Sequence, residues 1–269
     1  MAEPIPTHAH AHEHRHHDFA EANKAFFDQH AHELHRPDAL KLRQKTVAVM
    51  QRAYPALFDE DRTEVLDYAC GVARACRRDA GLLSQALCPH VKSIVGVDIS
   101  QASVDAYNAQ ASNQGLEPEE MRAVCAELKG ASGELDDAKF DLVVCSASYH
   151  HFPSIADTTR VLAHFLKPGG SLLVADIKAA PDGRELFKQT HHHIVPHKHG
   201  LAEEAVRGAF EGAGLMEFEL ADAFKATMSA TGEETQLFVA RGSRESRQAC
   251  MDTPESRTRD DIPIRGTAK

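Results

Sequence analysis

The sequence predicts a doubly wound α/β fold, a mostly parallel sheet with helices on both faces, preceded by N-terminal helices and closed by an antiparallel hairpin at one edge. Three observations carry this. Short apolar runs alternate with helical patterns from Glu64 onward. Several of these runs are buried-strand-like along their whole length, as strands covered on both faces must be. The last two runs, Leu215–Leu220 and Thr235–Ala240, have no helical pattern between them, which suits a hairpin.

The elements follow in order. Phe19, Ala22, Phe26, Phe27, His30 and Leu34 recur at spacings of three and four, a helical face, and a second helix is expected over Asp38–Ala53, ended by Pro55. Glu64–Ala69 reads as a strand, Leu82–Leu87 as a helix, and Ser93–Val97 as a strand ending in Asp98. Ser100 is placed to cap a helix running to about Gln114, before Gly115 and Pro118. Arg122–Cys125 and the Val-rich Phe140–Ser146 are strands. Pro153–Leu166 reads as a helix closed by Lys167-Pro168-Gly169-Gly170, Ser171–Ile177 as a strand, and Leu201–Gly212 as a helix. Residues 1–17, with His8, His10, His12, His14, His16 and His17, read as a polar leader without fixed structure, residues 18–242 as one domain, and 243–269 as a polar tail.

The bulk properties exclude several classes. Asp and Glu outnumber Lys and Arg by 40 to 30, so nucleic acid is not the expected partner. No apolar run approaches the ~20 residues of a membrane span, and the His-rich start is not a secretory signal. Cys70, Cys76, Cys88, Cys125, Cys145 and Cys250 lack CxxC spacing, and three lie in or beside strands; they read as reduced thiols of a cytoplasmic protein. The leading histidines could hold a transition metal and the run His191–His199 zinc, but neither has the ligand geometry of a defined site, and no metal is expected.

The chemistry gathers at strand ends. The first strand delivers Val65-Leu66-Asp67-Tyr68-Ala69-Cys70-Gly71, and a glycine there lets backbone approach a ligand. The second strand ends Val95-Gly96-Val97-Asp98-Ile99-Ser100, and an acid at that place can accept hydrogen bonds from both hydroxyls of a ribose. A dinucleotide would need a third glycine where the chain has Ser84, so an NAD site is disfavoured.

Together with Phe140-Asp141-Leu142-Val143-Val144 and Leu166-Lys167-Pro168-Gly169-Gly170-Ser171-Leu172-Leu173-Val174, these segments resemble class I S-adenosylmethionine-dependent methyltransferases over roughly residues 20–241, especially small-molecule enzymes of the quinone-biosynthesis kind. The resemblance implies a Rossmann-like methyltransferase fold and S-adenosyl-L-methionine as cofactor. It implies that Asp67 orients the amino group of the methionine moiety, that the backbone of Ala69 and Gly71 lines the cofactor, that Asp98 holds the ribose, and that Ile99 packs on adenine. Glu127 falls where the family often has an acid near the adenine amino group, and Cys145 and Ser146, ending the fourth strand, lie beside the transferable methyl. Glu127 reads equally as an exposed loop residue, and Cys145 as a small core residue.

The chain departs from the family at the glycine loop. The family pattern Asp-x-x-x-Gly-x-Gly is broken after Gly71, and the next glycine is Gly81. Removing Ala73–Ala80 restores Asp-Tyr-Ala-Cys-Gly-Val-Gly-Leu-Leu and cuts the Gly71–Asp98 separation from 27 residues to 19, close to the roughly 20 expected. Those residues read as an insertion. Alternatively Ala73 replaces the second glycine and the helix starts about two turns early, or the reading of the gene is mis-assembled.

Two histidine groups complete the inventory. Ser148-Tyr149-His150-His151-Phe152 follows the strand that borders the methyl, so His150 or His151 is the candidate base for an oxygen acceptor, each reading also as a loop-fixing residue. His191-His192-His193-Ile194-Val195-Pro196-His197-Lys198-His199 lies where the family borders its acceptor pocket, and reads as a pocket lining or solvated loop. Phe19, Asn23, Phe26, Phe27 and His30 of the first helix would cover the site or simply pack on the domain. The expected function is methyl transfer to an oxygen, less readily a carbon or nitrogen, of a small organic acceptor. The rival is a catalytically degenerate fold that binds or regulates.

Overall fold

The structure is a computed structural model that describes residues 9–30, 39–71, 80–227 and 232–246. The side chains of the leading histidine tract and the tail past residue 246 lie outside the described residues. The chain forms α1 (Ala9–His30), α2 (Ala39–Ala53), β1 (Glu64–Tyr68), α3 (Leu82–Leu87), β2 (Ser93–Asp98), α4 (Gln101–Asn113), β3 (Met121–Cys125), β4 (Phe140–Ser146), α5 (Ile155–His164), β5 (Leu166–Ile177), α6 (Glu203–Gly212), β6 (Met216–Thr227) and β7 (Glu234–Ser243).

The seven strands lie in the order β3-β2-β1-β4-β5-β7-β6. The first five are parallel; β7 runs antiparallel between β5 and β6. The chain reverses direction across the sheet between β1 and β4, so their carboxyl ends part at a crevice, the natural ligand position of an open α/β sheet.

Strand alternation divides the core. On one face Leu66, Val143, Leu172 and Val174 meet Leu162, Phe165 and Phe210 from the α5–α6 side. On the other, Val65, Ile94, Leu142, Val144 and Leu173 meet Met50 of α2 and Leu83 and Leu87 of α3. Burial on both faces is why these strands read as unbroken apolar runs.

Most predicted elements are present, and the differences have local causes. The backbone of α1 is already helical at Ala9, ahead of the apolar pattern that begins at Phe19. Helix α5 starts two residues later than Pro153, because Ser154 is its cap: its hydroxyl accepts from Asp157 N (3.1 Å). Ser100 caps α4 as expected, accepting from Ser103 N. Ala69 is not part of β1; its φ of +55° turns the chain out of the strand. The Pro-Gly-Gly run does not end a helix but lies inside β5, at a register shift against β4. A Cβ on Gly170 would sit 3.0 Å from three backbone carbonyl oxygens, those of Phe140, Asp141 and Lys167. Because backbone cannot yield as a side-chain tip can, Gly170→Ala is expected to cost about 1–3 kcal/mol, measured as a drop in the midpoint of thermal or urea unfolding.

Candidate active site

The glycine loop is built from the ends of β1 and β2. Beyond Tyr68 the chain turns at Ala69, and Cys70 N donates to Val97 O (3.1 Å). Gly71 N then donates to Asp98 Oδ2 (2.9 Å), while Ser100 N donates to Asp98 Oδ1 (2.9 Å). Asp98 is thus fixed by two backbone donors, and burial still raises its carboxyl pKa. Gly71 has φ +28°, and a Cβ there would be 3.4 Å from Asp98 Oδ2.

The loop closes on itself despite the extra residues. Gly81 N donates to Gly71 O at 3.1 Å, and α3 begins at Leu82 with Gly81 (φ +63°) as its N-cap. A Cβ on Gly81 would lie 2.5 Å from the Tyr107 ring, so this glycine is required by packing. Of the segment Ala73–Ala80, all but Ala80 lies outside the described residues. Its two ends meet, which is the geometry of an insertion into an otherwise joined loop.

Asp67, at the end of β1, is 1% exposed. Ser84 Oγ donates to its Oδ2 at 2.6 Å from the first turn of α3. Burial pushes its pKa up to about 7, opposed by the Ser84 hydrogen bond and the nearby Arg43 charge. Arg43 of α2 donates from Nη1 to Ser146 Oγ (3.0 Å), at the end of β4.

The histidine pair stands across the crevice. His150 Nδ1 donates to Asp176 Oδ1 (2.7 Å). Asp176 lies in β5, is wholly buried, and also accepts from Ile177 N and His150 N. Burial alone would raise its pKa, but the His150 charge and these hydrogen bonds outweigh it, and the carboxyl is held low. The His150 ring is stacked on Phe187 (4.9 Å, 24°) on one side and tilted against His151 (4.3 Å) on the other. His151 Nδ1 donates to the Ile194 carbonyl (2.7 Å). A ring nitrogen that donates at Nδ1 leaves Nε2 as the basic position in the neutral imidazole.

Arg43, Asp67, Gly71, Asp98, Ser146, His150 and Phe187 open on one cavity of about 1050 Å³. Of the residues singled out from the sequence, Asp67, Ala69, Gly71, Asp98, Ile99, Glu127, His150 and His151 line it. Two do not. Cys145 and Ser146 were both expected beside the methyl, but β4 alternation turns Cys145 into the core and leaves Ser146 alone of the two lining the cavity. Gly81 packs on Tyr107. Glu127 is exposed and paired with Lys129 (2.5 Å). Asn23, Phe26 and Phe27 of α1 line the cavity, with Ala20 in place of Phe19. In the later histidine run, His191 lines the cavity, His192 Nε2 donates to Phe187 O, and His197 Nε2 donates to Phe152 O. No metal-ligating trio converges among the described residues.

With this geometry in place, the comparisons fall into line. Residues 39–217 match a family described as a methyltransferase domain. The chain belongs to the class I S-adenosylmethionine-dependent methyltransferases. It is 34% identical over 165 residues to an uncharacterized methyltransferase of Schizosaccharomyces pombe, covering 58% of this chain and 54% of that one. It is 27% identical over 121 residues to the ubiquinone biosynthesis O-methyltransferase of Leptothrix cholodnii, covering 45% and 47%. The chain spans about half the length of the curated relatives it matches. In fold it is similar to the geranyl diphosphate C-methyltransferase of Streptomyces coelicolor, with TM-score 0.56, 15% identity, and coverage of 84% of this chain and 98% of that one.

Sequence reasoning missed four residues of this methyltransferase site. Asp176 carried the signal already used for Asp67 and Asp98, an acid at the carboxyl end of a strand. Ser84, Arg43 and Phe187 carried none, because each gains meaning only from what it faces.

The Asp67 carboxyl gives a pH-dependent prediction. Its folded pKa of about 7 lies above the unfolded value, so its stabilising contribution is complete below about pH 4 and lost as pH rises through 7. Keeping it ionised at pH 8 costs the ligand-free fold about 4 kcal/mol. Asp67→Asn is expected to raise the thermal midpoint by roughly 8–16 °C at pH 8 and leave it unchanged at pH 4. An equal shift at both pH values would show that burial of charge is not the cause.

Proposed function

We propose that the methyltransferase moves a methyl group from S-adenosyl-L-methionine to an oxygen of a small organic acceptor, with His150 as general base. The buried His150–Asp176 pair, whose His150 opens on the same cavity as Asp67, Gly71 and Asp98, carries this reading. The names of the ubiquinone biosynthesis O-methyltransferases among its relatives support oxygen over carbon or nitrogen.

The cavity fits the cofactor at each part of its chemistry. Asp98, held by Gly71 N and Ser100 N, takes the ribose hydroxyls, and Ile99 packs on the base, with Glu127 near its amino group. At the other end, the opposite charges of Asp67 and Arg43 match an amino acid's ammonium and carboxylate. Ala69 and Gly71 supply close backbone between them. When bound, the cofactor supplies an electrophilic methyl group on sulfur.

The acceptor's hydroxyl proton passes to Nε2 of His150. Asp176 orients the imidazole through Nδ1 and stabilises the imidazolium once the proton has arrived, while Phe187 and His151 hold the ring in place. Phe26, Phe27 and Phe152 provide apolar walls that align the acceptor and keep water out.

The test is turnover by the full chain with labelled cofactor against a panel of phenols and hydroxy acids. His150→Ala is expected to lower kcat about 10²–10⁴-fold, and Asp176→Asn by a smaller factor, with S-adenosylhomocysteine affinity unchanged in calorimetry. Cofactor binding without turnover on any acceptor would favour a binding or regulatory protein instead.

A further inference from the structure

Opposite charges line the cavity from different elements. Among the described residues its acids are Asp67, Asp98, Glu127 and Asp157, at the ends of β1 and β2, just beyond β3, and in α5. Its lysines and arginine, Lys41, Arg43 and Lys45, all come from α2. Arg43 reaches Ser146 at the end of β4, and its charge is felt at Asp67. Lys45 goes elsewhere: its Nζ stands 4.3 Å from the centre of the Phe224 ring, on β6.

Strand register places that contact. Phe224 pairs with Leu237 of β7, and Leu237 pairs with Ile177 of β5, the residue after Asp176. Leu237 and Ile177 both line the cavity, so the wall along this line is apolar. Neighbouring strands are about 4.8 Å apart, so β6 lies on the order of 10 Å from β5, which backs His150 through Asp176. The acids of this corner are already engaged. Asp222 pairs with Lys178 (2.6 Å), Glu234 with Lys225 (3.3 Å) and Glu233 with Arg184 (3.2 Å). Among the described residues no carboxylate pairs with Lys45. The Phe224 ring holds its ammonium in place, which lowers the ordering cost that an exposed ion pair otherwise carries.

Resting on the oxygen-acceptor reading above, we propose that the acceptor is a hydroxyaryl acid, with its hydroxyl at His150, its carboxylate at Lys45 and its apolar body over Ile177 and Leu237. An imidazole takes the proton of a phenol, whose pKa is about 10, far more readily than that of an alcohol. The two ligands are then sorted by charge. The cationic cofactor goes to the acids at the ends of β1 and β2, and the anionic acceptor goes to α2 and β6. Lys45 sets specificity and takes no part in the proton transfer.

The experiment is calorimetric titration of the full chain, saturated with S-adenosylhomocysteine, with para-hydroxycinnamate and with its methyl ester. Wild type is compared with Lys45→Met, which keeps the apolar stem and removes the charge. The wild type is expected to bind the acid about tenfold more tightly than the ester, and Lys45→Met to lose that preference by weakening the acid alone. Unchanged affinity for S-adenosylhomocysteine in the variant shows that it is folded. In turnover, Lys45→Met is expected to raise KM for the acid by about the same factor and to leave kcat within about twofold. Equal affinity for acid and ester in the wild type, a parallel loss of both in Lys45→Met, or no binding of either probe would overturn the proposal. Binding of the acid that depends on Lys45, without methyl transfer to it, would support the anion site and overturn the reading of His150 as base for an oxygen acceptor.

Discussion

The hydrogen bond from Gly71 N to Asp98 Oδ2 joins the ends of two neighbouring strands, and the site is arranged around it. It fixes the Asp98 carboxylate at the cavity wall and holds the loop after β1 close to it. The bond from Gly81 N to Gly71 O completes the constraint, since it sets where α3 begins. Helix α3 in turn carries Ser84 to Asp67. If Gly71 and Gly81 did not meet, the buried Asp67 would lose its side-chain partner and the cavity one wall.

Charge is segregated around this frame. Asp67, Asp98 and Glu127 stand at the ends of β1, β2 and just beyond β3, where a cofactor bearing positive charge belongs. His150 stands across the β1–β4 crevice, backed by the buried Asp176 on β5. The sheet thus presents carboxyl groups on one side of the switch point and the histidine pair on the other. Strand order, more than any local motif, brings the two chemistries within one cavity.

Much of this was legible in the chain. Buried strands announced themselves as apolar runs, and Ser100 announced α4 through its capping chemistry. Asp67, Gly71 and Asp98 were readable because strand ends are where ligands bind in such a sheet. The rest depended on tertiary partners. Gly170 looks like a helix stop, and only the crowding of three carbonyls shows its strand role. Cys145 and Ser146 both end β4, and only the phase of the pleat, which the sequence leaves open, shows that Ser146 faces the cavity and Cys145 the core. Arg43 lies in a helix 24 residues before Asp67, and nothing local marks it. The insertion after Gly71 is the clearest case: its length was visible, whereas the meeting of its ends was not.

The account holds that the glycine loop is whole although the chain between Gly71 and Gly81 is long. A carbonyl and an amide at hydrogen-bond distance have the geometry of a three-residue turn, which one intervening residue can close. Calorimetric titration with S-adenosyl-L-methionine and its demethylated product, on this chain and on a version lacking Ala73–Ala80, tests this directly. The account predicts that both bind, with dissociation constants within about tenfold of each other, because Gly71 and Gly81 already meet; that factor is about 1.4 kcal/mol. Binding by the shortened version alone would contradict it, and would mean that the insertion breaks the site although Gly71 and Gly81 meet.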